Sequence, residues 1–207
     1  MAALEIEMME ERRSDWRAGL PDLSDGRVVL RELRRSDAPS LYAALCRPEV
    51  TRFSWPPPPD VEAFERFIEW TWSERAAGKY ICYGIVPKGC DHALGLFELR
   101  QLQPGFFRGE LGFVMDPDAW GTGIFRAGAA LLLEFAFRVV GVHRIEARAA
   151  VTNDRGNAAL RKIGARREGL LRAAFFSDGR YVDQHLWAIL ADPARPQTNG
   201  PTVHVHG

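Results

Sequence analysis

Residues Trp120–Gly128 read Trp-Gly-Thr-Gly-Ile-Phe-Arg-Ala-Gly. A β-rich run, Glu110-Leu-Gly-Phe-Val-Met115, comes just before them, and a long apolar helical pattern, Ile124 to Val140, comes just after. A glycine-rich turn that opens a helix gathers free backbone N–H groups at one point. The helix dipole adds positive character there. Gly121 and Gly123 carry no side chain, so phosphate groups can approach the backbone closely. The chemistry is that of an anion site suited to a pyrophosphate. The plainer reading of a bare Gly-x-Gly, a tight strand-to-helix turn, stands beside it.

The elements that must hold this turn follow from periodicity. Arg27–Leu33 alternates and is β-rich, a first strand. Ser36-Asp37 offers a cap for a helix over Ala38–Cys46. Trp55-Pro-Pro-Pro-Pro-Asp60 is a stiff polyproline-type segment. Asp60 then caps a second helix with Val61, Phe64, Phe67, Ile68 and Trp72 on one stripe, ended by Gly78. Strands are expected over Tyr80–Val86, Ala93–Leu102, Glu110–Met115 and His143–Val151. Asn153-Asp154 starts a short helix, Ala158–Ile163, stopped by Gly164. Two closing strands, Glu168–Phe176 and Tyr181–Leu190, flank Ser177-Asp178-Gly179, where Asp-Gly between apolar runs signals a hairpin. The order gives an α/β (α+β mixed) fold with helices on both faces of one mixed sheet. Residues 1–25 read as an N-terminal extension, 26–191 as the domain, and 192–207 as a disordered tail.

Bulk properties exclude several classes. The 207 residues suit one domain with a full core. Lys plus Arg and Asp plus Glu balance at 27 each, which gives no support for nucleic acid as a partner. No uncharged apolar run approaches the ~18 residues of a membrane span. Cys46, Cys82 and Cys90 have neither metal-ligand nor redox spacing and read as free thiols in a reducing compartment. His204 and His206 have no metal-site companions, so no metal is expected. Met1–Arg13 lacks a signal-peptide core, and the cytoplasm is the expected location.

Four segments in this order resemble the GNAT (general N-acetyltransferase) superfamily, nearest to its RimJ/RimL-type ribosomal-protein N-terminal acetyltransferases. They are Glu110-Leu-Gly-Phe-Val-Met-Asp-Pro with Trp120-Gly-Thr-Gly-Ile; Val142-His-Arg-Ile-Glu-Ala-Arg; Asn153-x-x-Gly-Asn157 leading to Leu160-Arg-Lys-Ile-Gly164; and Arg167-Glu-Gly-Leu-Leu-Arg172 with Asp178-Gly-x-Tyr-Val-Asp183. The resemblance runs from about Arg27 to Leu190. It implies a largely antiparallel sheet of six to seven strands, splayed at its centre, and acetyl-CoA as donor. The pyrophosphate would sit on the amides of Gly121, Thr122, Gly123, Ile124, Phe125 and Arg126. The pantetheine arm would run between the Glu110 and His143 strands, near Phe113, Val114 and Met115, with Asn153 and Asn157 bordering the cleft. Three positions depart from the family pattern: Phe125 is bulky where the last small residue of the turn falls, Gly156 replaces a common serine, and Leu160 replaces a tyrosine that serves many relatives as general acid.

The implied reaction moves an acetyl group to a primary amine, a protein N-terminus or a small molecule, by direct attack in a ternary complex. An α-amine has a pKa of roughly 8 and a lysine about 10.4, so a carboxylate acting through water can serve as base for the former. A backbone N–H near Val114 would receive the oxyanion. Glu110 and Glu168 are the candidate bases; Glu110 reads equally as an edge-strand charge, and Glu168 as an ion pair with Arg166 or Arg172. Phe53 and Trp55, beside the prolines, fall where the family's acceptor loop lies, and either wall the acceptor or pack as a connector. His185 either reaches that pocket or is a core histidine. His143 reads as structural. The alternative function is a non-catalytic acyl-CoA sensor of the same fold, separated from an enzyme by thioester turnover. The acceptor's identity stays open, as does the choice between monomer and homodimer.

Overall fold

The computed structural model describes residues 15–54, 56–177 and 179–191. Trp55, Asp178 and the expected tail lie outside the described residues. The strands are β1 (Leu23–Ser24), β2 (Val28–Glu32), β3 (Tyr80–Pro87), β4 (Gly95–Gln101), β5 (Arg108–Met115), β6 (Arg144–Ala150), β7 (Arg166–Ser177) and β8 (Arg180–Leu190). The helices are α1 (Ala38–Leu45), α2 (Pro48–Thr51), α3 (Val61–Ala76), α4 (Ile124–Phe135) and α5 (Asp154–Lys162).

The strands form one eight-stranded sheet in the order β1-β2-β3-β4-β5-β6-β8-β7. Every neighbouring pair is antiparallel except β5–β6, which is parallel. This is the expected mixed sheet with one more strand. The extra strand is the short β1, which lies inside the segment expected to be an extension. Trp16 and Leu23 of that segment are buried, and Trp16 meets Phe106 edge to face. An indole and a leucine there bury enough apolar surface to order the chain. α5 begins at Asp154, four residues before the expected Ala158, because Asn153 caps it by accepting from the Gly156 N–H at 2.8 Å.

Each face of the sheet has its own core. α4 covers one face with Leu131, Leu132 and Phe135, packed on Leu30, Tyr83, Phe97, Leu99 and Ile145. α1 and α3 cover the other with Leu41, Phe64 and Ile68, packed on Leu33, Tyr80, Cys82 and Leu96. Asp60 starts α3 as expected, its carboxylate accepting from the Ala63 N–H. A buried ion pair ties β2 to the start of α1: Arg31 reaches Asp37 at 2.7 and 2.8 Å. Asp37 also accepts from the backbone of Arg34 and Ala93, so every oxygen is used. Burial alone would raise the Asp37 pKa, but these hydrogen bonds outweigh it and hold it below the usual carboxylate value.

No helix among the described residues is long and apolar enough to cross a membrane, and no group of three or more His, Cys, Asp or Glu there could hold a metal ion. The three cysteines are free.

Candidate active site

β5 and β6 pair only at Arg108–Arg144, Gly109–Ile145 and Glu110–Glu146. Beyond that point they diverge. β5 stays paired to β4 through Met115, and β6 stays paired to β8 through Ala150. The edges of Leu111–Met115 and Ala147–Ala150 therefore face each other across a wedge without a strand ladder between them. Backbone donors and acceptors on such edges need partners, and an extended amide-bearing ligand can supply them.

The glycine turn closes the wide end. Gly121 and Gly123 have φ of 79° and 88°, in the left-handed region, and nothing lies within 4 Å of where their Cβ atoms would stand. Gly123 is the cap residue of α4 and supplies no side chain to it. The first intrahelical bond runs from Ala127 N–H to the Gly123 carbonyl at 3.1 Å. The amides of Ile124, Phe125 and Arg126 precede it; the Ile124 N–H turns to Thr122 Oγ1 at 3.5 Å, and those of Phe125 and Arg126 point out of the helix end. Thr122 Oγ1 donates to the Ala119 carbonyl at 2.7 Å and fixes the turn. Phe125 projects the other way, packing on Phe97 and Phe113 with centroids 5.5 and 4.7 Å apart. Its bulk thus leaves the turn open, and only its backbone faces the site.

Trp120 braces the turn. Its Nε1 donates to the Met115 carbonyl at 3.1 Å, and the Arg155 guanidinium lies 4.2 Å above its ring. Arg155 stands on α5, after β6, while Trp120 follows β5. The pair therefore spans the mouth of the wedge. Sequence reading missed Arg155; an exposed helix-start arginine carries no periodic signal.

Asn153 caps α5 at the border of the wedge. Asn157 is buried, and its amide is spent on protein partners. Nδ2 donates to the Ala150 and Asn153 carbonyls at 2.9 and 2.8 Å, and Oδ1 accepts from Trp187 Nε1 at 2.9 Å. The same oxygen lies 3.2 Å from His185 Nδ1. Asn157 thus holds the end of β6, α5 and β8 together. His185 shares the α5 side of the sheet with Trp187 and lines a hollow of about 650 Å³ with Arg161, Arg166 and Arg167. Phe53 lies on the opposite side, in a narrow cleft between the loop after α2 and the β7–β8 hairpin, lined also by Ala150, Thr152 and Val182. Ser177 Oγ seals that cleft by donating to the Arg52 carbonyl at 3.1 Å. The structure does not bring His185 and Phe53 together.

The carboxylates fall into two settings. Glu110 stands at the apex of the wedge, bonded to Arg100 and 3.5 Å from Arg148. Glu168 lies at the closed end, where Arg144 donates to it at 3.1 Å and also reaches Glu146 at 2.9 Å. The Arg144 hydrogen bond holds the Glu168 pKa below its ordinary value. The second setting was not legible as a site. Glu98 on β4 sits opposite Gly112 on β5 and Cys82 on β3. Tyr80 donates its hydroxyl to Glu98 Oε2. Glu98 makes no ion pair among the described residues, and burial raises its pKa. The one available signal was Gly112, a glycine inside a strand, which marks a close approach by something else.

A splayed sheet centre with a glycine turn opening a helix at its wide end is the arrangement of an acyl-CoA-dependent transferase. The comparisons agree. A family model described as an acetyltransferase (GNAT) domain matches residues 27–166. The chain belongs to this family, which uses acetyl-CoA as donor, and it is an N-acetyltransferase enzyme. Over 173 residues it is 25% identical to an uncharacterised N-acetyltransferase, YoaA, of Bacillus subtilis, covering 82% of this chain and 97% of that one. Over 99 residues it is 27% identical to a spermidine N(1)-acetyltransferase of Vibrio cholerae, covering 48% of this chain and 57% of the relative. Among solved structures, a RimL ribosomal L7/L12 α-N-protein acetyltransferase in complex with coenzyme A superposes with a TM-score of 0.73 at 19% identity, covering 82% and 97% of the two chains.

Proposed function

We propose that this enzyme acetylates a primary amine, a protein N-terminus or a small-molecule amine, by direct attack on acetyl-CoA held in the β5–β6 wedge. The observation that carries the reading is the coincidence of that wedge with the glycine turn and helix start that hold the backbone amides of Gly121–Arg126. The pyrophosphate would rest on those amides. The pantetheine amides would pair with the free edge around Phe113–Met115, and Asn153 would border them. A backbone N–H near Val114 would receive the carbonyl oxygen as it gains charge. The acceptor would enter past Phe53, on the α1–α3 side, where the loop after α2 meets the β7–β8 hairpin. The sequence places Trp55 in the same loop.

The reaction needs a route for the amine's proton. Glu110 and Glu168 are candidates, with Glu110 the nearer to the apex, although arginines already hold both. The departing thiolate is a weak base and leaves without strong acid catalysis, so a leucine at Leu160, where relatives carry tyrosine, is compatible with turnover.

The test is acetyl-CoA with a panel of free-amino peptides, polyamines and simple alkylamines, read by mass spectrometry of the products and by thiol release. Acetylated product from one class identifies the acceptor. Tight acetyl-CoA binding with no turnover across the panel would instead leave the non-catalytic sensor as the better account.

A further inference from the structure

We infer that Glu98, held by Tyr80 and seated over Gly112, is the carboxylate that takes the proton from the acceptor ammonium; this rests on the acetyl-transfer reading above. The placement follows from register. β3, β4 and β5 run side by side, and directly opposed residues share a face of the sheet. Cys82, Glu98 and Gly112 form one such row, and Tyr80, Arg100 and Glu110 form the next. Both rows lie on the α1–α3 face, because Tyr80, Cys82 and Leu96 belong to its core. This is also the face on which the Phe53 cleft opens. Gly112 is two residues past the last β5–β6 pair, Glu110–Glu146, where the wedge has opened.

A side chain at position 112 would crowd this site. A Cβ there would stand 3.2 Å from Glu98 Oε1. The glycine therefore lets the carboxylate lie across β5 toward the wedge edge. Tyr80 fixes the other oxygen, and Trp70 of α3 packs on the Tyr80 ring with centroids 4.9 Å apart. Glu98 Oε1 is left with no hydrogen bond among the described residues. A carboxylate with one anchored and one available oxygen is ready to accept a proton. Glu110 and Glu168 differ on each point, because arginines occupy them.

The groups facing Glu98 are Tyr80 and Cys82 from β3, Arg100 from its own strand and Glu110 from β5. Burial and the Glu110 charge push its pKa up, while the Tyr80 hydrogen bond and Arg100 pull it down. A base with a raised pKa takes a proton from an ammonium more readily than an ordinary surface carboxylate does. In the reaction the ammonium gives one proton to Glu98. The freed lone pair then forms the N–C bond with the thioester carbon. The C–S bond breaks, the thiolate takes the second nitrogen-bound proton through water, and Glu98 returns its proton to solvent.

The experiment compares the pH dependence of kcat/KM for the parent, Glu98→Gln, Tyr80→Phe, Glu110→Gln and Glu168→Gln. The probes are acetyl-CoA and whichever of spermidine, n-butylamine and a free-amino tripeptide the parent acetylates fastest. Glu98→Gln should lose about 10- to 1,000-fold near neutral pH and recover toward the parent in alkali, where the amine is already neutral. Tyr80→Phe removes a bond to the charged carboxylate, so its acid limb should move to higher pH while its alkaline plateau is kept. Glu98→Gln should melt at or above the parental Tm, which separates lost chemistry from lost folding. If it does not fold, the shift of the Tyr80→Phe limb decides the matter. Parental rates for Glu98→Gln, a loss that alkali does not restore, or an unmoved Tyr80→Phe limb would overturn the proposal. A parent that consumes no acetyl-CoA with any amine overturns the functional reading itself.

Discussion

The two ends of the β5–β6 wedge are built from different materials. The proposed cofactor end is made of backbone: two left-handed glycines, the two outward amides of Phe125 and Arg126, and an indole brace. The acceptor face is made of side chains whose meaning depends on their neighbours. Of the carboxylates Glu98, Glu110, Glu146 and Glu168 along that face, arginines hold all but Glu98. A backbone site tolerates change in most side chains, since its donors belong to the main chain. A side-chain site is altered by a single partner. Activity here should therefore be robust at the turn except where a substitution brings charge or bulk, and fragile around β4.

The largest effect expected at the frame of this contrast comes from Asn157. Asn157→Ala strands the Trp187 indole N–H and two carbonyls, and should cost about 2–3 kcal/mol in urea unfolding. A cost no larger than that of a surface substitution would mean that the β6–α5–β8 corner does not depend on this amide. Next comes the turn itself. Gly123→Asp sets a carboxylate against the phosphates and should weaken acetyl-CoA binding by at least tenfold, ~1.4 kcal/mol, by calorimetry. Gly123→Asn, which tolerates the left-handed backbone and has no charge, should stay closer to the parent. Equal losses in the two variants would assign the effect to shape, and unchanged binding in both would remove the turn from the cofactor site.

Arg155→Ala should act more mildly. It removes one cation–π contact across the mouth, worth about 0.5–1 kcal/mol, so the acetyl-CoA Kd should rise roughly two- to fivefold. A loss of tenfold or more would make Arg155 a direct phosphate ligand rather than a brace. The smallest effect is expected from Glu168→Gln, with kcat/KM within about threefold of the parent at neutral pH, since Glu168 sits at the solvent-exposed end of its pair with Arg144. The sign of its pH dependence follows from the lowered pKa. The folded-state benefit of this ion pair is present above the unfolded carboxylate's pKa and is lost as pH falls through the lower folded value. Glu168 therefore titrates only in acid, and a change in a neutral-pH limb on Glu168→Gln would contradict this placement.

How much of this was legible in the chain differs between the ends. The turn was readable because its signal is local: Gly121 and Gly123 stand between a strand pattern and a helix pattern, and the proposed site uses adjacent amides. The divergence of β5 and β6 came only through the resemblance to a family, since no residue in either strand announces it. Glu110 and Glu168 could be picked out as acids, but their arginine partners lie 10 and 24 residues away in sequence, on other strands. Trp16 and β1 were hidden because a short apolar cluster ahead of a domain has no periodicity to betray its docking.

The chain by itself determined the element order, the glycine turn at a helix start and the family, because periodicity, capping and glycine chemistry act over a few residues. Only the tertiary structure decided which of Glu98, Glu110 and Glu168 makes no ion pair among the described residues. Strand register is set by contacts between segments far apart in sequence, and moving a strand by one residue would send its side chains to the other face. The observed register places Glu98 between Tyr80 and the open space over Gly112, and it gives Glu110 and Glu168 to arginines.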